Sequence, residues 1–164
     1  MTVKNAECRC YFEGSVAMKT LNQLVAAYTR CLRQGEIQLA YKGILEYIGR
    51  LRADIMRKHP EYDVGSIYAG YLDMSYFPVA SARLKARGLR VAIVYLHEKN
   101  VFEAWLSARN RAVSKTFSPL GGLCDASCTL FHDEDNLDAI LECTLSAAPD
   151  FDAPATLTNE ILQG

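Results

Sequence analysis

The sequence has no apolar run close to the roughly 20 residues that a membrane-spanning helix requires, so a bilayer-spanning protein is not predicted. It also has no excess of either charge, because 18 basic residues stand against 19 acidic ones. A balanced chain has no overall field that attracts nucleic acid or an anionic membrane, so either partner would need a local patch. The composition therefore argues against membrane binding and against nucleic acid binding.

Secretory and catalytic signatures are absent as well. The first residues lack the basic and then apolar pattern of a signal peptide, so a cytoplasmic location is expected. The six cysteines are then expected to be reduced, with Cys31 and Cys143 acting as small apolar side chains. No G-x-S-x-G elbow is present, and Gly121-Gly122 follows a predicted helix where a phosphate-binding loop would open one. The sequence leaves catalysis open and favours binding.

What the sequence does have is enough apolar material for a core. Half of the 164 residues are hydrophobic, and a chain of about 150 residues buries roughly 70% of its unfolded surface. Residues 1–19 show neither helical nor strand periodicity, which predicts a poorly ordered or loosely docked leader. A single domain is predicted over residues 20–164.

Two helices are predicted at the start of this domain. Apolar residues repeat with helical spacing from Leu21 to Leu32, and Gly35 favours a helix end. A clearer stripe follows, formed by Ile37, Tyr41, Ile44, Ile48, Leu51 and Ile55. His59-Pro60 ends this second helix. The short link at Gly35 predicts an antiparallel helix hairpin.

Strand-like segments follow the helices. Three are predicted at residues 66–77, 89–97 and 101–108, and the last two are close enough to form a hairpin. A helix over residues 109–117, a fourth strand over 139–145 and a short last helix complete the chain. The order α-α-β-β-β-α-β-α predicts the α+β class, with the helix hairpin packed on a mainly antiparallel sheet of three or four strands and two further short helices.

The stretch GYLDMSYF, residues 70–77, holds one carboxylate, Asp73, in a run that otherwise resembles a buried strand. In a regular strand Tyr71 and Asp73 share one face, while Tyr76 lies on the other. An unpaired carboxylate in a covered site costs several kcal/mol, so Asp73 is expected to have a partner. The candidate partners are Arg109, Arg111, a tyrosine hydroxyl and His97. Both a structural pair and a ligand site fit this pattern.

A second cluster surrounds the predicted hairpin. Glu103 and Trp105 share one face of the predicted strand, His97 lies at the end of the preceding predicted strand, and Glu98 lies in the link between them. A tryptophan on a partly polar face can stack a planar ligand or anchor a partner. The alternative is a Trp105 covered by a helix and a Glu103 paired with a basic residue such as Arg90. The two clusters together predict one ligand-binding pocket, lined by Tyr71, Asp73, Tyr76, His97, Glu103, Trp105 and Arg109.

Metal chemistry supplies the alternative function. The order of elements is similar to that of the PD-(D/E)xK nucleases, where an acid on one strand and a Glu-x-Lys on the next hold Mg²⁺ and position water. The sequence has Glu103-Ala104-Trp105, with tryptophan where lysine is needed. A degenerate or unorthodox metal-dependent hydrolase using Asp73, Glu98 and Glu103 is therefore the alternative to a binding module.

A thiol metal site is a separate hypothesis. Cys124, Cys128 and His132 recur at intervals of four residues, which suits metal ligands only loosely. A domain with its own core does not need a metal ion to fold, so neither a metal nor another cofactor is predicted.

Four longer stretches carry a family resemblance: AYKGILEYIGRLR (40–52), GSIYAGYLDMSYFPV (65–79), RVAIVYLHEKNVFEAWLSARNR (90–111) and AILECTLSAAPDFDAPATLTNEI (139–161). Their combination resembles a bacterial family of uncharacterised proteins, domain of unknown function 7000. The resemblance implies a small α+β protein without an assigned activity. The residues themselves predict a ligand-binding or protein-interaction module, a monomer or a homodimer, whose partner is an unknown small molecule or protein.

Overall fold

The computed structural model describes residues 19–108, 128–130 and 140–163. The chain divides into two compact units, Met1–Gln38 and Leu39–Gly164, and each is described by itself. Apart from Lys19, the predicted leader lies outside the described residues. None of the helices in the described part of the chain has both the length and the apolar character that crossing a bilayer demands. The single domain over residues 20–164 stays a prediction.

Helix α1 (Leu21–Gln34) in the first unit is capped at both ends by the residues around it. The Thr20 hydroxyl accepts a hydrogen bond from the Gln23 backbone N–H at 3.4 Å, and the Gln23 side chain accepts one from the Thr20 N–H at 2.9 Å. Gly35 follows with a left-handed φ of +79°, and its N–H donates to the Leu32 carbonyl. The predicted helix end at Gly35 is confirmed, and α2 (Glu36–Lys58) begins directly after it.

The second unit is built on an antiparallel sheet. Its six described strands are β1 (Asp63–Val64), β2 (Met74–Ala80), β3 (Leu89–Leu96), β4 (Val101–Ala108), β5 (Cys128–Leu130) and β6 (Leu141–Ser146). Their order across the sheet is β1-β2-β3-β4-β6-β5. A short helix, α3 (Ala82–Ala86), links β2 to β3, and α4 (Pro154–Gln163) follows β6. The α+β class and the mainly antiparallel sheet are confirmed.

The core of this unit lies between one face of the sheet and the helices α2 and α4. The α2 stripe predicted from the sequence supplies Ile48 and Leu51, and both are almost completely buried. Phe77 of β2 and Phe102 of β4 come from the facing sheet surface and are equally buried. Antiparallel pairing therefore leaves the alternate residues of each strand on the opposite face, away from these helices.

The predicted first strand differs most from the structure. Extended pairing with β3 begins only at Met74, because Gly70 and Leu72 have positive φ angles of +69° and +68°. Those angles interrupt the regular alternation that GYLDMSYF suggests. A turn-rich segment therefore precedes β2, and Asp73 lies before the strand and not inside it.

Other differences concern the edges and the thiols. The edge strands β1 and β5 have two and three described residues, too few for a period-two pattern, and they extend the predicted three or four strands to six. The helix predicted over residues 109–117 lies outside the described residues. Cys31 is a free thiol, as predicted. Cys143 is disulfide-bonded, so the prediction of a reduced thiol there is wrong.

Candidate functional site

The sheet face opposite the helices carries an aromatic depression. Pairing puts Tyr76 of β2 beside Val94 of β3, and Val94 beside Glu103 of β4, so these side chains form one row. In the next row Ala92 lies beside Trp105. Because β3 contributes only the small side chains of Ala92 and Val94 in these two rows, the larger side chains of β2 and β4 rise on both sides. We call this surface the pocket face.

A cavity of about 250 Å³ lies on the pocket face. Its aromatic lining comes from Tyr68, Tyr76 and Trp105, and the rings of Tyr68 and Tyr76 are 5.1 Å apart between centroids. Asp73 and Arg90 are its charged lining residues in the described part of the chain. The volume is slightly below the ~300 Å³ at which pockets for whole drug-sized ligands begin, so it suits one side-chain-sized group.

The indole of Trp105 fixes the position of the Glu103 carboxylate. Its Nε1–H donates a hydrogen bond of 2.6 Å to Oε2 of Glu103, and both side chains are half-buried. A bond to a charged acceptor is shorter and stronger than a neutral one. The carboxylate keeps further lone pairs for another donor. Arg90 lies opposite Ser107 and forms no salt bridge with Glu103.

Glu142 is a second carboxylate on this face that the sequence analysis missed. It pairs with Trp105 from β6, beside the irregular register at Phe102 and Glu103. Burial raises the pKa of the Glu142 carboxyl, and the charge of Glu103 raises it further, while Lys99 has the opposite effect. Sequence alternation indicates that Glu142 and Thr144 share a face, but the pairing partner of Glu142 depends on a register that a single chain does not reveal.

Asp73 holds a turn. Its Oδ1 accepts a hydrogen bond of 2.8 Å from the Tyr71 backbone N–H, which closes an Asx turn. That bond and a second backbone bond from Met74 lower the pKa of the Asp73 carboxyl. The side chain is exposed, so the prediction that it needs a buried partner is wrong. The acid in GYLDMSYF is explained by the turn before β2.

We expect Asp73→Ala to lower the free energy of unfolding by about 1 kcal/mol, because the Tyr71 N–H loses its acceptor. Asp73→Asn keeps an oxygen at this position and should cost less. The folded-state pKa is depressed, so the contribution of the ionised carboxylate is present above the unfolded pKa and is lost as the pH falls through the folded pKa. Urea unfolding at about pH 7 and about pH 3 measures this loss. A difference between wild type and Asp73→Asn that does not shrink at the lower pH would contradict this role.

His97 lies on the helix-covered side, apart from Trp105. Its Nε2 is 2.9 Å from the Ser75 hydroxyl, and its ring lies 5.5 Å from that of Tyr41 on α2, between centroids. The Ser75 hydroxyl donates to the Ala69 carbonyl at 2.6 Å, so its single proton is used and His97 Nε2 is the donor between them. Burial lowers the pKa of the His97 imidazole, although the charge of Asp73 opposes this shift.

This network supports the turn. Tyr41 Oη donates to the same Ala69 carbonyl at 2.7 Å, and the His97 backbone N–H donates to the Asp73 carbonyl at 3.0 Å. Ser75 is fully buried, and its proton points away from the imidazole. The pair therefore lacks the hydroxyl-to-histidine bond that activates a serine nucleophile.

The structure thus separates the predicted site residues. Tyr76, Glu103 and Trp105 lie together on the pocket face, and Asp73 lines its cavity. Tyr71 is 89% exposed on the turn. Of the other predicted pocket residues, His97 is on the other face and Arg109 lies outside the described residues. Cys124 and His132 of the thiol hypothesis also lie outside the described residues. Of Cys128 the structure describes the backbone in β5.

The carboxylates proposed for metal chemistry do not converge. Among residues 19–108, 128–130 and 140–163, no three His, Cys, Asp or Glu side chains form a group that could hold a metal ion. Asp73, Glu98 and Glu103 all belong to these ranges. They are therefore separate acids in the described structure.

Fold and site together define a small α+β protein with an antiparallel sheet, helices on one face and an aromatic, acidic depression on the other. The chain belongs to the family described as "Domain of unknown function (DUF7000)", whose model matches residues 21–164. This match confirms the family to which the four sequence stretches are similar. No curated protein and no solved structure matches the chain.

Proposed function

We propose that the protein is a binding module and that the pocket face is its binding site. The carrying observation is that Tyr76 and Trp105 flank a floor made of Ala92 and Val94. Their strands are separated by one strand, about 9.5 Å, and the two residues are offset by two positions along the strands, so their backbones are roughly 12 Å apart. A flat group midway between them would lie about 6 Å from each backbone position, which is within the range of favourable aromatic contacts.

The hydrogen bonds that hold the acidic side chains favour binding over hydrolysis. Glu103 is held by the Trp105 indole, and Asp73 is held by a backbone N–H. Groups fixed by such bonds are preorganised, which lowers the entropy lost when a ligand binds. No observation on the described residues favours the metal-dependent alternative.

The fluorescence of Trp105 tests this proposal directly, because the chain contains one tryptophan. We expect saturable changes in its emission with at least one member of a panel of small flat molecules that includes benzamide, nicotinamide and guanidine. Tyr76→Ala removes one wall and should abolish the change. Tyr62→Ala is the matched control, since Tyr62 stacks on His59 near the end of α2 and away from the pocket face.

Two results would contradict the proposal. One is a panel that gives no saturable change at all with the wild-type protein. The other is a change that Tyr76→Ala and Tyr62→Ala reduce equally, because such a change would not depend on the aromatic walls.

A further inference from the structure

The charges on the pocket face are unbalanced. Asp73, Glu103 and Glu142 contribute three carboxylates, Arg90 contributes one guanidinium, and the ammonium of Lys99 acts on Glu142. Asp73 and Arg90 line the cavity, and Glu103 and Glu142 lie beside Trp105. Among the described residues none of these five side chains forms a salt bridge. The raised pKa of Glu142 reflects burial together with repulsion from Glu103, and a cation bound beside them would relieve that repulsion. The electrostatics of this surface therefore favour a positively charged group.

The aromatic walls favour a planar cation. A cation within about 6 Å of a tryptophan or tyrosine ring centroid is attracted by the electrons of the ring, and arginine makes such contacts more often than lysine. A guanidinium is flat, so it can lie between Tyr76 and Trp105 and donate hydrogen bonds in its plane. Glu103 occupies the row of Tyr76 and Val94, where its carboxylate can accept them.

Arg90 lines one end of the cavity and repels a cation there. Its backbone lies four residues from Val94 along β3, a separation of about 13 Å, so this repulsion is weaker at the end formed by Val94 and Glu103. Arg90 is also exposed, so water weakens its repulsion further. Glu103 is paired directly with Val94, so its negative charge dominates at that end of the cavity.

The surroundings of the cavity indicate a polypeptide ligand. Tyr71 and Leu72 are 89% and 49% exposed on the turn that ends at Asp73. Leu72 holds a left-handed φ of +68°, a conformation that is strained for a non-glycine residue. The turn thus keeps two apolar side chains outside, beside a cavity that accepts only one side chain. A peptide can fill the cavity and cover these neighbours at the same time.

We infer that the pocket face binds the arginine side chain of a protein segment, with apolar residues next to that arginine covering Tyr71 and Leu72. This inference rests on the proposed function and specifies its ligand. The guanidinium lies between Tyr76 and Trp105 and donates to Glu103.

The first test compares acetyl-arginine amide with acetyl-citrulline amide by Trp105 fluorescence and calorimetry. Citrulline has nearly the same planar shape but no charge. We expect saturable binding of the arginine compound and at least ~10-fold weaker binding of the citrulline compound. Glu103→Gln should weaken binding of the arginine compound several-fold, whereas Arg90→Gln, which removes a like charge from the cavity lining, should strengthen it.

The second test identifies the source of the guanidinium. Acetyl-Leu-Arg-Leu amide should bind more tightly than acetyl-arginine amide, and Tyr71→Ser should remove only this gain. Equal affinities of the two compounds for the wild-type protein would overturn the assignment to a protein segment.

These experiments distinguish a wrong ligand assignment from a wrong binding site. Citrulline or lysine compounds that bind as tightly as the arginine compound would overturn the guanidinium assignment while leaving the binding site in place. Binding of neutral flat molecules alone, with dependence on Tyr76, would have the same meaning. An absence of any saturable ligand, in the fluorescence panel and here, would overturn both.

Discussion

Replacing Gly70 with alanine is expected to lower the free energy of unfolding by roughly 2–4 kcal/mol. A Cβ added at Gly70 would overlap the Met74 carbonyl oxygen and would lie 2.7 Å from Asp73 Oδ1. The backbone oxygen belongs to β2 and cannot move without disturbing its pairing with β3. The φ of +69° adds strain for any residue with a side chain. Urea unfolding followed by circular dichroism measures the loss.

The matched control is Gly43→Ala in α2. No atom lies within 4 Å of a Cβ added there, and alanine favours a helix over glycine by about 0.5–1 kcal/mol. The same chemical change should therefore stabilise the protein at position 43 and destabilise it at position 70. Equal effects of the two substitutions would contradict the geometry of the turn.

Phe77→Ala is expected to cost about 3–5 kcal/mol, because it empties a fully buried site in the core. Phe77 lies on the helix-covered face of β2, where its ring contacts the cluster formed with α2 and α4. A cavity left there can collapse only if the helices shift toward the sheet. Thermal and urea unfolding should both report the loss.

Tyr76→Ala is the control for this substitution. Tyr76 is the preceding residue of β2, half-buried on the pocket face, so its truncation should cost clearly less than that of Phe77. Equal losses at both positions would mean that both faces of β2 act as core. That result would contradict the view of the pocket face as a binding surface.

Much of the fold could be predicted because local signals agree with tertiary structure. The strand over Val101–Ala108 has the predicted bounds, and β3 ends one residue earlier than predicted. A three-residue link between two alternating runs leaves few choices other than a hairpin. The segment before β2 was harder to predict, because Gly70 and Leu72 are compatible with a strand in the sequence and only their positive φ angles exclude one.

The site was predictable only in part for the same reason. Alternation correctly grouped Glu103 with Trp105 on one face. It could not show that His97 points to the opposite face with Ser75, because the pairing of β2 with β3 sets that contact. The contribution of Glu142 depends on the pairing of β4 with β6. The sequence between these two strands has no pattern that predicts this pairing. The register between strands that are distant in the chain could therefore not be predicted from the sequence.

The most direct test of the central claim is a nuclear magnetic resonance map of the labelled protein titrated with acetyl-arginine amide. We predict that the Trp105 indole N–H, bonded to Glu103, shifts together with the backbone amides around Tyr76 and Val94. Amides of the helix-covered face, such as those of Leu51 and Leu157, should remain unchanged. Shifts confined to that face, or an unmoved Trp105 indole at saturation, would contradict the account.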